Sequence, residues 1–474
     1  MGIFRIYSSK SNTIASASTY ELLNSSQNPV TDLWYGGTGS RNSISRFMIY
    51  FDLNYLESKL NSKEINSDYI TAYKLKIKNC IPSNRILEPE YEFDVLDKKV
   101  SASFDLIAFP INKFWDEGRG FSLEEQHEIV KSRGNPILSG YSNWLSATSS
   151  INWDEPGIFT NPSASTAVTY YSTQHFSIGS EDLEMDITNI VNDWLSGGSE
   201  NNGIAVAYSR PFETMSGNNR YISSFYTNKT NTAYKPYIEV QYNQAIKDNR
   251  YNIANNRRSK LFLYLFSGNT AVNYLSADTV SIKTNTGSDV YTGLTPIHHS
   301  KGVYYVDVLM TGTTRGERFK DVWHGITFEA GLDQQDYTQK FTTIGDYFSY
   351  RNKEINEFAV NLYGIENNDV LQTGETIRVY AEVRINYSLE TPKTDFGLEY
   401  KITMNQVDEV IPWTPFNSAI IDNCLKSYFD IDTLIFINNQ NYEVTVRINE
   451  LGTKRVLPEK INFKVVNNFT ETNF

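Results

Sequence analysis

Between Asp182 and Tyr242 the hydrophobic period of the chain changes from helical to alternating. Ile187, Ile190, Val191, Trp194 and Leu195 recur at helical spacing and predict a short helix with one apolar stripe. Asp186 or Thr188 can cap its start, because a short side-chain oxygen satisfies the open N–H groups of a first turn. Gly197 and Gly198 suit its end, where the left-handed cap conformation favours glycine. A period of two follows, with Ile204, Val206 and Tyr208 alternating with Ala205, Ala207 and Ser209. A closing strand opens at Pro236, where no ladder bond is lost, and sets Ile238, Val240 and Tyr242 against Tyr237, Glu239 and Gln241.

Alternation recurs on both sides of this stretch. MGIFRIYSS reads as a first strand, and Phe47, Ile49, Phe51 and Leu53 share one face of another, with Met48, Tyr50 and Asp52 opposite. Tyr73, Leu75 and Ile77 face away from Lys74, Lys76 and Lys78, the pattern of an antiparallel sheet with one wet face. SFDLIAFPI is a strand ended by Pro110. Residues 114–166 break the pattern with Trp, Gly, Pro and Ser around a helix-like SLEEQHEIVKS, and an insertion of this size is usually functional or interfacial. Residues 1–243 therefore form a first sandwich, and the polar, aperiodic residues 244–258 a linker.

Short strands separated by turn signals then set out two immunoglobulin-like units, over residues 259–346 and 355–466. VIPWTPF reads as an extended loop held by Pro412 and Pro415, and residues 467–474 as a tail. The fold class is all-β: an N-terminal jelly-roll-like β-sandwich with a short helix, followed by two small immunoglobulin-like β-sandwiches.

The capped helix ending in WLSGG, the strand after it and the Pro-led strand resemble the end of the DNRLRE family of β-sandwich modules. The matching residues are Asp186, Thr188, Trp194, Gly203, Pro236 and Tyr242. SRFMIYFDL, from Arg46 to Leu53, is similar to the family's opening strand. Trp115, Glu117, Gly118, Trp153, Pro156 and Gly157 fit its "W-x-E-G … W … PG" segment, expanded here between Gly120 and Trp144. The resemblance covers the first half of the chain and implies structural roles for Asp186, Thr188, Trp194 and Pro236. It also implies a carbohydrate-binding or adhesin module.

Composition narrows the partners. The 474 residues exceed one core and fit two to four domains, and 32 Tyr with 26 Phe favour strands. A net charge of −12 argues against nucleic acid or an anionic membrane as the surface met. Cys80 and Cys424 fall in separate predicted domains, which excludes a disulfide framework and favours assembly in a reducing cytoplasm. No stretch has the length of a signal peptide or a membrane span.

Candidate chemistry is sparse. Asp116 and Glu117 beside Trp115, and Asp154 and Glu155 beside Trp153, are the best candidates for a glycosidase pair, but they lack a paired spacing and suit turn capping better. His298, His299 and His324 read as surface turns rather than metal ligands. Asp182, Glu184 and Asp186 could face a Ca²⁺, against the simpler reading of a solvated strand edge and a helix cap. Arg257 and Arg258 read as linker charge. Trp34, Tyr35, Trp144 and Trp153 are candidates for a protein interface, for a glycan platform, or for plain core.

No catalytic, metal or cofactor residue is expected. The low-cysteine, Asn/Tyr/Ile/Lys-rich composition and modular β architecture look similar to tail or neck proteins of crAss-like phages. That resemblance implies a virion structural protein assembled in the host cytoplasm. Its partners would be copies of itself in a symmetric homo-oligomer and portal, tail or ring proteins. The alternative is a module recognising a surface polysaccharide.

Overall fold

The computed structural model describes residues 2–16, 20–36, 43–80, 103–121, 123, 141–158, 171–213, 221–250, 253–267, 270–328, 334–345, 358–385, 397–421, 424–450 and 453–467. The SLEEQHEIVKS pattern (apart from Leu123), the stretch 346–357 and the tail after residue 467 lie outside them. Two compact units emerge. One comprises Phe4–Glu57 with Thr71–Gln241; the other comprises Met1–Ile3, Ser58–Ile70 and Tyr242–Phe474.

The first unit is built on ten strands: β1 (Gly2–Ala15), β2 (Val30–Gly36), β3 (Ser43–Phe51), β4 (Ile70–Ile77), β5 (Phe104–Pro110), β6 (Ser172–Phe176), β7 (Leu183–Asp186), β8 (Ile204–Tyr208), β9 (Tyr221–Tyr226) and β10 (Tyr237–Tyr242). Their order is β6-β5-β8-β3-β1-β10-β4-β7, with β2 joining β3 to β9. Strand β1 is the hinge of the sandwich. A register shift between Ser8 and Lys10 interrupts its pairing with β3, which runs from Ser8 opposite Phe51 to Ala15 opposite Ser45, and Ser8 N–H donates to Pro236 C=O at 2.9 Å. The alternating lysines of β4 do not point into open water. Lys74 meets Glu184 at 2.6 Å, Lys78 meets Asp182 at 2.9 Å, and Lys76 meets the buried Glu239 of β10 at 3.1 Å.

The expected helix spans Thr188–Leu195 and buries Ile190, Val191 and Trp194. Ile187 takes the N-cap position without a side-chain bond, and Asp186, one residue earlier, accepts from Thr188 N–H through its Oδ1 at 2.9 Å. Thr188 does something else: its Oγ1 accepts from Tyr73 N–H at 3.0 Å and ties the helix to β4. Gly197 ends it at φ 75°, as a left-handed cap requires.

The second unit holds two immunoglobulin-like sandwiches. In the first, the three-stranded sheet Arg258–Tyr264, Val303–Leu309 and Ile297–Ser300 shares a core with a five-stranded one. The order of the latter is Ile253–Ala254, Gln335–Gly345, Arg315–Ile326, Val280–Thr284 and Asp289–Leu294. Leu261, Val306, Ile282, Phe319 and Trp323 meet between them. In the second, a four-stranded sheet faces a five-stranded one around Val379, Tyr400, Phe429, Val444 and Phe463. VIPWTPF corrects its expectation. It is the strand Asp408–Pro415 at a sheet edge, where Pro412 and Pro415 cost little of the ladder.

The expected linker, 244–258, is also corrected. Instead of running free, it is built into the first of these sandwiches. Ile253–Ala254 pairs in parallel with Gln335–Gly345, and Arg250 is 1% exposed. The guanidinium of Arg250 makes a bidentate pair with Asp321 (Nη2–Oδ2 2.8 Å) and donates to Phe262 C=O at 2.6 Å. Trp323 Nε1 donates to the same Asp321 carboxylate at 2.6 Å. Asp248 comes within 3.4 Å of Arg250 Nε, but that nitrogen has no hydrogen bond. Burial, with the nearby Asp321 charge adding to it, pushes the Asp248 carboxyl up to about 6 despite the attraction of Arg250.

A stability prediction follows from this asymmetry. Arg250→Met strands the buried Asp321 charge and should cost about 3–5 kcal/mol in denaturant unfolding. Asp248→Asn should be neutral or stabilising at pH 7. In the wild type, the folded Asp248 binds its proton more readily than the unfolded chain. Its contribution therefore improves as pH falls from about 6 to roughly 4, and the Asn variant should lack that gain.

Candidate functional site

The loop insertion decides what the aromatic candidates do. On β3 and β8 one face looks into the sandwich through Phe47, Ile49, Ile204 and Val206; the other carries Met48, Ala205 and Ala207. Small alanines leave room for large rings. Trp115, Trp144 and Trp153 pack there with Ile14, Phe109 and Ile111 into a second apolar layer. Trp153 Nε1 donates to Asn143 C=O at 2.8 Å, and Trp115 Nε1 to Asn202 C=O at 2.9 Å.

Arg46 pins this layer. Its Nε and Nη2 reach Glu213 at 3.0 and 2.7 Å, its Nη1 donates to Gly157 C=O, and its guanidinium lies 4.8 Å from the Trp144 ring centre. Gly157 sits at φ 84°, and a Cβ there would stand 2.5 Å from Trp144, so the Pro156–Gly157 turn admits only glycine.

Of the readings open to the four aromatics, the structure gives Tyr35, Trp144 and Trp153 to the core. Tyr35 is 1%, Trp144 8% and Trp153 5% exposed; Trp34 is half-buried with its Nε1 on Ser43 Oγ at 2.9 Å. The rings of Tyr35, Trp144 and Trp153 are thus closed off inside the unit, whereas Trp34 keeps part of its surface. The structural residues fare differently: Asp186, Thr188 and the buried Trp194 and Pro236 all do architectural work.

Two of the four candidate carboxylates are equally committed. Glu117 Oε1 accepts from Ser11 N–H at 3.1 Å and pairs with Lys229 at 3.0 Å. Asp154 binds Asn112 at 2.9 Å and also Lys113, which hold its carboxyl below the usual range. Asp116 engages its backbone with Ala147 and Ser142, and Glu155 is exposed. Asp182 and Glu184 face the lysines of β4 rather than a cation.

His299 is no surface residue. It lies against Tyr69, Phe262 and Tyr305, and burial, with Lys260 adding to it, pushes its imidazole down to about 4. His298 stacks on Tyr304 at 4.5 Å. Among the described residues no group of three metal-ligating side chains comes together.

Two constellations escaped the sequence. Ser281 Oγ lies 2.8 Å from His324 Nε2, and His324 Nδ1 lies 2.9 Å from Asp336 Oδ2. This is the order of a nucleophile relay. It is carried by three neighbouring strands, and residues so far apart in sequence share no local motif. Ser281 is 4% exposed, and the adjoining N–H groups are already engaged. His324 N–H donates to Thr279 C=O, Asp278 N–H to His324 C=O, and Gly325 N–H to Asp336 Oδ1. None of them is free to meet an oxyanion, so the relay is a cross-strand tie.

The other constellation is a cleft of about 70 Å³ lined by Lys10, Tyr50, Phe114, Trp115, Asn201 and Asn202. The ammonium of Lys10 stands 5.0, 4.7 and 5.9 Å from the ring centres of Tyr50, Phe114 and Trp115. The only signal in the sequence is the Phe-Trp pair.

No family model and no curated protein matches the chain. Solved structures do align. Fibronectin(III)-like modules of Clostridium thermocellum CbhA align at 11% identity over 48% of this chain and 95% of theirs, with a TM-score of 0.18. Tandem immunoglobulin repeats of Dlar align at 11% identity over 46% of this chain and 94% of theirs (TM-score 0.14). The Yersinia pseudotuberculosis adhesin InvE aligns at 12% identity over 47% of this chain and 62% of its own (TM-score 0.17). The likeness is to β-sandwich modules. It says nothing of activity.

Two variants separate core from function. Trp144→Ala should lower unfolding stability by about 3–5 kcal/mol, the cost of a large core cavity; unchanged stability would return the residue to the surface. Ser281→Ala should cost about 1 kcal/mol and leave hydrolysis of p-nitrophenyl acetate at the wild-type background. A drop in that rate would make the relay catalytic.

Proposed function

We propose that the chain is a non-catalytic structural component of a tailed-bacteriophage virion, placed in the tail, neck, ring or baseplate. It acts by protein–protein assembly through its β-sandwiches. Its partners are copies of itself in a symmetric homo-oligomer and the portal, tail or ring proteins beside it; neither nucleic acid nor a membrane is among them.

The observation that carries this reading is where the chemistry goes. Loop tryptophans, Glu117 and Asp154 are consumed in holding loops to sheets. What the molecule offers outward is strand. Asp289–Leu294 ends its five-stranded sheet, and Asp289, Val290, Thr292 and Gly293 are exposed. This edge holds neither lysine nor proline, and although two register shifts interrupt its ladder with Val280–Thr284, its outer backbone is open to a neighbour's strand. Copies joined by a closed rotation would bury it in a ring.

Light scattering on the native protein, with fractionation of the source particles, tests the proposal. A mass several times 54.2 kDa and recovery with purified virions are expected. A 54.2 kDa monomer absent from particles overturns it.

A further inference from the structure

We infer that the cleft beside the β1 bulge is a subsite for a carboxylate-bearing sugar residue, of the uronic or sialic acid type. The inference stands apart from the assembly role, since it concerns one cleft of the first unit and needs no oligomer.

Three features of the cleft converge on that ligand. The first is a cation without an anion. Lys10 is half-buried, and its ammonium has ring faces around it but no carboxylate partner among the described residues. Ring faces attract a cation more weakly than a hydrogen-bonded carboxylate does, so the site retains a demand for negative charge. The second is an open aromatic. Phe114 is 58% exposed, whereas its neighbour Trp115 is 2% exposed. The pair splits its duties: Trp115 anchors the loop, and Phe114 presents a ring at the cleft. An apolar ring face suits the C–H side of a sugar. The third is a spare amide. Asn201 is used up, its Nδ2 on Phe51 C=O at 2.8 Å and its Oδ1 on Gly203 N–H at 3.1 Å. Asn202 is held through its backbone by Trp115 Nε1, and its side-chain amide has no hydrogen bond among the described residues. An amide with both a donor and an acceptor matches a hydroxyl, which is likewise both.

The dimensions agree. A water needs roughly 15 Å³ of such space, so a cleft of about 70 Å³ takes a carboxylate and one edge of a pyranose rather than a whole oligosaccharide. The register shift between Ser8 and Lys10 explains why Lys10 is there, since a bulge re-aims the side chain that follows it. A peptide carboxylate would satisfy Lys10 equally well, but would make no use of the Phe114 face together with a hydroxyl-matching amide.

The test titrates the full chain with glucuronate, N-acetylneuraminate, glucose and acetate, read by ligand-observed NMR. An acidic sugar should bind detectably, with glucose and acetate each at least about fivefold weaker. Phe114→Ala and Lys10→Met should each weaken the acidic sugar by about fivefold or more. Phe114 is exposed, so its variant should keep the wild-type melting temperature and act as the control for folding. No binding by either acidic sugar overturns the inference, as does binding that both variants leave unchanged. Acetate bound as tightly as glucuronate would assign the cleft to carboxylates in general and overturn the sugar.

Discussion

A guanidinium removed from water needs partners, and each unit of this chain is organised around one that finds most of them, although Arg250 Nε is left without a hydrogen bond. Arg46 is 4% and Arg250 1% exposed. Each draws together segments that are distant in sequence: Arg46 holds Glu213, Gly157 and Trp144, and Arg250 holds Asp321 and Phe262. Arginine suits the task because its flat fork satisfies a carboxylate and a carbonyl at once and still offers a face to a ring. The desolvation cost makes such a pair a weak source of net stability but a strong selector of arrangement, because any other packing leaves a bare charge.

That constraint explains the fate of the loop chemistry. A long insertion rich in tryptophan looks like a binding surface when only the order of residues is known. Its described residues, 114–121 and 141–158, fold as a cover. Ala205 and Ala207 leave a shallow floor on the sheet, the tryptophans fill it, and Arg46 locks the cover in place. Among the described residues, the outward surface of this unit is thus poorer in chemistry than its composition promises, and chemistry remains at Phe114 and Lys10.

How much was legible divides along physical lines. Periodicity found the helix at Thr188–Leu195 and the strands around Phe47, Leu75, Val206 and Val240, because local spacing encodes them, but the cap position is Ile187, between the expected Asp186 and Thr188. It missed the buried role of Trp144, since a tryptophan amid Gly, Ser and Asn has no periodic context and its burial depends on alanines far along the chain. It took 244–258 for a linker for the same reason: Arg250 is polar in sequence and core in space, and only the distant Asp321 makes it so. The Ser281–His324–Asp336 tie was invisible because strand neighbours need not be sequence neighbours.

The place of β1 has a consequence for how the protein comes into being. This strand is made long before β10, one of its neighbours in the sheet, and the paired side chains Arg5 and Glu239 lie 234 positions apart. Closing so long a span is slow, and until it closes an unpaired strand edge stays open to other chains. The nascent polypeptide must therefore carry β1 without its β10 partner through most of this unit's synthesis. In a crowded cell that interval, rather than the finished molecule, is when the chain is most exposed to mispairing.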